Sequence, residues 1–326
     1  MELFRSVNID WLGKKWYFLA FSMIFSVAGL ISMGIHWAQI GSPLPLGVDF
    51  KGGTQVHVKF QQTPDINRIR QAVADAGIKD ATIQSIQSEI NESGGNEVLI
   101  ALPEQQDESS LDLGRQQIVE ALHKYYSNPF TDSDVSADVV GPTVGKQLEN
   151  KALLATLYSM AGMLVYLWFR FQLIYGVAAV VACFHDTLIT VGAFALLNKE
   201  ISLTVIAAIL TLVGYSMNDT IVVFDRIREN LRLSRREALP DVVNRSINQT
   251  LSRTVLTSGL TFLTVLSLFI FGGQVLNGFS FALVVGILIG TYSSIAIAAP
   301  MLVAWQEWRT QQGKTVVLPA AKRARV

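Results

Sequence analysis

A carboxylic acid interrupts an otherwise apolar stretch of this 326-residue sequence. Asn218 and Asp219 lie within LVGYSMNDTIVVF, and Asp219 is seven residues before Arg226. On a helix this places the acid about 10 Å inward from the charged end. An ionised side chain near the centre of a bilayer costs on the order of 3 kcal/mol. Burial favours the neutral form of such an acid, whereas a nearby cation favours its charged form. An acid balanced between these effects can load and release an ion. We therefore predict that Asp219 couples ion movement.

A second polar site, His185 with Asp186, lies about halfway along another apolar run. On a helix, adjacent side chains point about 100° apart, so the two cannot face one partner identically. We interpret Asp186, together with His185, as a secondary relay candidate. Packing and hydrogen bonding between helices explain the pair equally well.

The helix predicted around Asp219 has a polar stripe. Thr211, Tyr215, Asn218 and Asp225 recur at spacings of three and four residues, with Asp219 at the flank. Lipid offers no hydrogen bonds, so this stripe should face protein. Tyr215 and Asn218 are secondary candidates that could equally join helices by hydrogen bonds. Asp225 is better explained as an interfacial residue.

Arg253 is the candidate counter-charge for Asp219. It opens the fifth apolar segment on the side where the fourth ends, at a depth close to that of Asp219. An arginine that marks topology or extends towards the interface would have the same position.

The composition places the chain among multi-spanning membrane proteins. Half of the residues are hydrophobic and 16% are charged, with a mean hydropathy of +0.37, whereas soluble domains have about a quarter charged residues. The single cysteine, Cys183, excludes an internal disulfide and a Cys-based zinc site. We predict no cofactor, no metal site and no enzymatic activity.

Six segments are long enough to cross a bilayer, which takes roughly 20 helical residues. We interpret the first as a retained anchor because no convincing cleavage site follows it. The predicted spans are Trp16–Ile35, Ala152–Phe169, Leu173–Leu197, Ile201–Phe224, Thr254–Phe271 and Phe279–Trp305.

The basic residues predict the orientation. They concentrate before the first span, in the arginine-rich segment 226–253 and in the tail, so both termini should be cytoplasmic. The predicted layout is an N-terminus at 1–15, a first helix at 16–35, an extracytoplasmic region at 36–151, a five-helix region at 152–305 and a tail at 306–326. Topology marking and contact with anionic lipids explain the arginines. Aromatic residues are not interleaved with them, so we predict no nucleic-acid partner.

Between the first two spans the periodicity changes to that of a small α+β domain. Its predicted order is βαββαβ, the ferredoxin-like arrangement. The first helix should have Thr63 as N-cap and Pro64 at its first position. The predicted strands are Thr54–Phe60, Ala81–Ser88, Glu97–Leu102 and Asp134–Val140, with helices after Pro64 and between Leu111 and Tyr125.

A glycine-rich stretch, GVDFKGG at 47–53, precedes the first strand. It lacks the Gly-Lys-Ser/Thr ending of a phosphate-binding loop, so we expect a tight turn or bulge instead. His57 and His123 have no partner at ligand spacing and are expected to be surface or packing residues.

Four short stretches resemble the SecF subunits of the bacterial SecD–SecF protein-export family. GYSMNDTIVVFDRIREN at 214–230 is similar to the family's fourth-span signature, and DFKGGT at 49–54 to its Asp-Phe-x-Gly-Gly-Thr element. VGPTVG at 140–145 resembles the start of its second span, and His185-Asp186 its third-span pair.

The resemblance implies one half of a resistance-nodulation-division unit in the bacterial inner membrane. The expected partners are a SecD-like second half, the Sec translocon channel with its accessory subunits, a preprotein on the outer side and membrane lipids. Proton or sodium movement would promote late steps of export. The family's membrane carboxylate corresponds to Asp219 and its arginine before span five to Arg253.

Other function classes fit the residues less well. Half of a small-molecule or ion transporter of the same superfamily is the main alternative. An intramembrane aspartyl protease using Asp186 and Asp219 would require a Gly-x-Gly-Asp context, which is absent. A pure scaffold would leave the cost of burying Asp219 unexplained.

Overall fold

A computed structural model describes residues 8–78, 81–86, 96–102, 111–127, 129–131, 134–171, 173–234 and 237–312. It contains a bundle of long helices and a small sheet domain inserted after the first of them. The elements are, in chain order, α1 (Lys15–Ile40), α2 (Val48–Lys51), β1 (Gly53–Lys59), α3 (Ile66–Asp75), β2 (Thr82–Ile86), β3 (Glu97–Leu102), α4 (Leu111–Tyr125), β4 (Val135–Val140), α5 (Pro142–Arg170), α6 (Leu173–Leu196), α7 (Leu203–Leu233), α8 (Leu239–Phe271), α9 (Gly273–Ser293), a π-helical segment (Ser294–Ala298) and α10 (Ala299–Gln311).

Six helices in the described part of the chain are long and apolar enough to cross a membrane. They are α1, α5, α6, α7, α8 and the combined helix from α9 to α10. The centre of the bundle is formed by α9, which packs against α6, α7 and α8, whereas α1 packs mainly against α6. Large apolar side chains on α1 and α5 are exposed, among them Tyr17, Ile24, Tyr158 and Phe169. Such outward apolar surface is what a lipid environment requires.

The helix bundle has two apolar cores. One lies at the end where α7 leads into α8, which we call the arginine-rich end, and includes Phe224, Ile247 and Leu302. The other lies at the opposite end, which we call the sheet end, and includes Phe194 and Phe281.

The sheet domain is a four-stranded antiparallel sheet with the order β2-β3-β1-β4. Its element order is βαββαβ, as the sequence predicts. Alternate residues of β1, including Val56 and Val58, are fully buried against Ile69 of α3 and Ile118 of α4. The period-two pattern that predicted β1 therefore reflects one sheet face covered by two helices.

In its described part the arginine-rich segment is mostly helical, although the predicted spans end at Phe224 and resume at Thr254. α7 continues to Leu233, and α8 begins at Leu239 rather than at Thr254. The cause is packing, because Val243 and Ile247 are buried in the same core as Ile227. Hydropathy detects the apolar part of a helix, whereas these amphipathic extensions continue beyond it.

Two local predictions in the sheet domain are also wrong. The N-cap of α3 is Asp65, not Thr63, because its carboxylate accepts hydrogen bonds from the backbone N–H groups of Asn67 at 2.9 Å and Arg68 at 3.4 Å. The glycine-rich stretch forms a helical turn, α2, where a tight turn or bulge was expected. The predicted strand Ala81–Ser88 is observed as β2, and residues 87–95 lie outside the described part.

The contact between α1 and α6 depends on two glycines. A Cβ atom at Gly29 would lie 2.9 Å from Cα of Gly192. Such a distance to backbone cannot be relieved by a side-chain rotation, so the helices would have to separate.

We therefore expect Gly29→Ala to lower the free energy of unfolding by about 1–3 kcal/mol, the usual cost of overpacking. Gly34→Ala is the matched control, since it lies in the same helix with nothing within 4 Å of its added Cβ. Thermal unfolding of both purified variants measures the difference. Equal melting temperatures would contradict the packing argument.

Candidate ion-coupling site

Asp219 is buried where α7 meets α8. Its side chain is 3% exposed, and its Oδ2 accepts a hydrogen bond of 2.6 Å from Oγ of Ser258. One helical turn before Ser258, the hydroxyl of Thr254 is buried without a hydrogen-bond partner among the described residues. The carboxylate predicted from the sequence therefore has one hydroxyl donor and a second hydroxyl on the same face of α8.

The polar stripe of α7 meets the other helices of this chain only in part. Thr211, Asn218 and Asp225 are exposed, and Tyr215 is partly buried, with its hydroxyl donating to the carbonyl of Thr257 at 3.4 Å. The side of α7 that packs in the bundle presents small and apolar residues, among them Leu212, Val213, Ser216 and Thr220. Within this chain, Tyr215 therefore contacts a neighbouring helix, whereas Asn218 does not. The side chains of α7 that pack closely against α9 are small or apolar.

Arg253 lies in the middle of α8, not at its start. It is exposed and close enough to Asp219 to interact with it electrostatically. No ion pair within 4.0 Å joins Arg253 to Asp219 or to another acid among the described residues. The arginine therefore acts on the carboxylate through space, from the same exposed side as Tyr215 and Asn218.

Asp186 is completely buried and connects three helices. Its Oδ2 accepts hydrogen bonds from Ser216 of α7 at 2.5 Å and from Ser293 of α9 at 2.7 Å. Its Oδ1 lies 3.0 Å from Nδ1 of His185, the neighbouring residue on α6. Adjacent side chains on a helix start about 100° apart. In the structure, the side chains of His185 and Asp186 nevertheless turn towards each other. Nε2 of His185 is buried without a hydrogen-bond partner in the described part of the chain.

A π-helical segment follows directly after Ser293. It spans Ser294–Ala298 and leads into α10, whose second residue is Pro300. Proline has no N–H to donate and its ring displaces the carbonyl four residues earlier, so a wider turn accommodates it. The sequence analysis missed this segment, although Pro300 within an apolar span was the available signal. It also missed Ser216, Ser258 and Ser293, because a serine in an apolar helix has no pattern that identifies it as a hydrogen-bond donor to an acid.

Asp225 lies at the arginine-rich end of the bundle and is exposed. Its Oδ1 is 3.8 Å from Nη2 of Arg170 at the end of α5, and both side chains are about half exposed. An exposed pair of this kind contributes about 0–1 kcal/mol. Its position agrees with an interfacial role and separates it from the buried Asp219.

The comparisons with known proteins agree with this architecture. Residues 119–308 match the family profile "Protein export membrane protein SecD/SecF, C-terminal", and residues 37–64 match "SecD/SecF GG Motif". A protein translocase subunit SecF from Koribacter versatilis is 55% identical, with 98% of this chain and 96% of the relative covered.

The chain belongs to the SecF family. A second relative, the SecF of Calditerrivibrio nitroreducens, is 43% identical over 93% of this chain and 96% of its own length. Its membership of the SecF family, together with its six apolar helices, identifies the chain as a multi-pass inner-membrane component of protein export.

Two solved SecDF structures resemble the fold. The crystal structure of SecDF from Thermus thermophilus, described as a translocon-associated membrane protein, has a TM-score of 0.79 at 35% identity. A SecDF structure in a super-membrane-facing form has a TM-score of 0.66 at the same identity. The chain covers 39% and 40% of those two chains, so it corresponds to less than half of each.

The two buried acids should differ in their effect on stability. Asp186→Ala leaves Ser216 and Nδ1 of His185 without their partner, and leaves Ser293 only the carbonyl of Gly290 at 3.2 Å. Each buried unpaired donor costs about 1–3 kcal/mol, so we expect the free energy of unfolding to fall by on the order of 3 kcal/mol, and by roughly half of that for Asp219→Ala, which frees one donor. Thermal unfolding in detergent compares the two. A larger loss for Asp219→Ala would contradict the assignment of Asp186 as the structural acid.

Proposed function

We propose that this chain is the SecF half of a two-part export factor, in which ion movement at Asp219 drives late steps of preprotein translocation. The observation that carries the proposal is a buried carboxylate with a single hydroxyl donor, beside an exposed polar helix face. We propose a SecD-like half as the partner that covers this face. The Sec channel with its accessory subunits and the translocating preprotein are the further proposed partners.

The chemistry of Asp219 supports ion coupling. An amide could join α7 to α8 through Ser258 at a lower cost than an acid, so the acid has a function that depends on its charge. Exchange of a proton or sodium ion at Asp219 disturbs one hydrogen bond. Ion exchange at Asp186 would disturb bonds to α7 and α9 together. We therefore propose Asp219 as the carrier, and Asp186 with His185 as a structural connection.

The exposed stripe supports a second half. Asn218 and the partly exposed Tyr215 lie on this face, and the amide of Asn218 would be in lipid if this chain acted alone, where it has no hydrogen-bond partner. A partner helix against α7 and α8 would cover them and also enclose Arg253 near Asp219. The guanidinium would then act as the counter-charge of the carrier in surroundings from which water is excluded.

The membrane potential supplies sufficient energy for such a step. One elementary charge that crosses 100 mV releases about 2.3 kcal/mol. We expect the free energy needed to repack helices around one hydrogen-bonded acid to be no larger than this amount.

We propose that the sheet domain is ferredoxin-like and extracytoplasmic. Its antiparallel order β2-β3-β1-β4 with two helices on one face is the arrangement expected of a split βαβ unit. The arginines near the junction of α7 and α8 favour the cytoplasmic side for that end. The sheet end would then lie outside, where the domain meets an emerging preprotein.

An export assay tests the carrier. In membrane vesicles containing this chain and its partner half, Asp219→Asn should reduce gradient-dependent preprotein export at least tenfold, because an amide does not exchange the ion. Asp219→Glu should retain part of the rate and Arg253→Lys less, since an ammonium does not reproduce a guanidinium. Asp241→Asn, an exposed acid in the first turn of α8, is the matched control.

Proton-only and sodium-only gradients in the same assay identify the coupling ion. Export at the wild-type rate in Asp219→Asn under either gradient would refute the carrier role. Unchanged export together with altered drug accumulation after deletion would instead favour a transporter half.

Labelling of single cysteines tests the orientation. In a Cys183→Ala background, a membrane-impermeant maleimide applied to spheroplasts should label Gln117→Cys in α4, because we place the sheet domain outside. Glu307→Cys in α10 should react only after permeabilisation. Both positions are exposed in the structure, so accessibility of the side chain is not limiting. The reverse pattern would invert the topology.

A further inference from the structure

The first turn of α7 is bound by a residue that precedes the sheet domain. Oδ2 of Asp49 accepts a hydrogen bond of 2.8 Å from the backbone N–H of Leu203. The first N–H groups of a helix have no partner within the helix, and a carboxylate there is favoured by the helix dipole. The hydroxyl of Ser202, the N-cap, accepts from the backbone N–H of Val205 at 3.4 Å and shares a hydrogen bond of 2.7 Å with the hydroxyl of Thr204. The start of α7 therefore has one acceptor from its own loop and one from a distant part of the chain.

Backbone pairing surrounds this contact. Gly47 donates to the carbonyl of Ile201 at 3.0 Å, and Ile201 donates to the carbonyl of Pro45 at 2.8 Å. Leu46 and Ile201 thereby form a parallel bridge. A Cβ at Gly47 would lie 3.3 Å from the carbonyl oxygen of Ile201, so a side chain would crowd the pairing. We call residues 45–51 together with 200–203 the latch.

The latch is part of the bundle core and not a free linker. Phe50 is 5% exposed and belongs to the sheet-end core with Phe194 and Val205. From the opposite side, α5 approaches so closely that a Cβ at Gly145 would lie 2.6 Å from the carbonyl oxygen of Phe50. Residues 45–51 of the latch are thus held between α5 and the start of α7.

Charge reinforces the latch. Burial raises the pKa of Glu200, and the positive charge of Lys51 partly offsets this effect. Lys51 belongs to the segment that leads to the sheet, and Glu200 to the connection that leads to α7. The two halves of the latch therefore also attract each other electrostatically.

On its other side the latch continues directly into the sheet. Only Gly52 separates α2 from β1, and the φ angles of Gly52 and Gly53 are +78° and +125°. These are conformations that side chains rarely permit. β1 is a central strand, paired with β3 and β4. A displacement of the latch consequently reaches the middle of the sheet.

We propose that Asp49 is a positioning residue that couples α7, and with it Asp219, to the sheet domain. The inference rests on the proposed function, because it is the ion step at Asp219 that would move α7. The two covalent connections of the domain lead to α1, through the latch segment itself, and to α5. These are helices at the lipid-exposed periphery, and neither contains the buried acid. At about 1.5 Å per residue, the helix from Leu203 to Asp219 is roughly 24 Å long and links the two sites directly.

Hydrogen–deuterium exchange in the intact complex tests the coupling. Asp219→Asn, which mimics a neutral acid, should change exchange rates in β1, β3 or β4 at least twofold. Asp49→Ala should abolish that response, whereas Asp49→Asn should retain it, since its amide oxygen can accept from Leu203. Ser202→Ala is the matched control, because it removes the local cap of the same helix end without cutting the link to the sheet.

A reversible cross-link provides the rescue. In Asp49→Ala with Cys183→Ala, a disulfide between Leu46→Cys and Ile201→Cys should restore the response when oxidised and lose it when reduced. The reduced form of the same protein controls for the loss of the two side chains from the core. Rescue would not occur if Asp49→Ala merely unfolded the domain.

The outcomes separate this inference from the proposed function. A response that persists in Asp49→Ala, or that is lost equally in Ser202→Ala, would overturn the coupling role. Loss of gradient-driven export in Asp219→Asn without any change in exchange would also overturn it, while the proposed function would stand. A response that requires Asp49, combined with undiminished export in Asp219→Asn, would support the latch and refute the ion carrier.

Discussion

A hydrocarbon layer offers no hydrogen bonds, and this constraint determines how the polar groups of the bundle are arranged. The buried carboxylates of Asp186 and Asp219 both accept from serine hydroxyls on neighbouring helices. Hydroxyls satisfy an acid without adding charge, and serine is small enough for helices to approach closely. At both buried acids, the contact between helices is therefore made by an acid on one helix and serines on its neighbours.

The number of donors distinguishes the two acids. Asp186 has three polar neighbours distributed over α6, α7 and α9, and one of them, Ser293, immediately precedes the π-helical segment. Asp219 has one, on α8. An acid exchanges its ion more easily when few hydrogen bonds depend on its carboxylate. A carboxylate that is hydrogen-bonded to several helices instead fixes one packing arrangement.

The sequence predicted the elements better than it predicted which faces pack. Hydropathy located all six spans, and alternation located β1, because both patterns record burial directly. The acid Asp219 was identifiable because a charge in an apolar run is costly. Its donor Ser258 was not, since a serine in a spanning helix has no comparable cost. The stripe around Asn218 was predicted to face protein, but polar periodicity cannot distinguish a neighbouring helix of the same chain from a separate subunit.

The stiffness of α7 connects these observations. It runs from Leu203 to Leu233 without a proline, whereas the last span contains a π-helical segment close to Pro300. A regular helix resists bending, and irregular turns are where helices yield. Three residues on this stiff helix keep fixed distances from one another. They are Ser216, Asp219 and Leu203, the residue to which Asp49 is hydrogen-bonded. Repacking around either acid must then move α7 as a unit relative to α9, and the first turn of α7 moves with it.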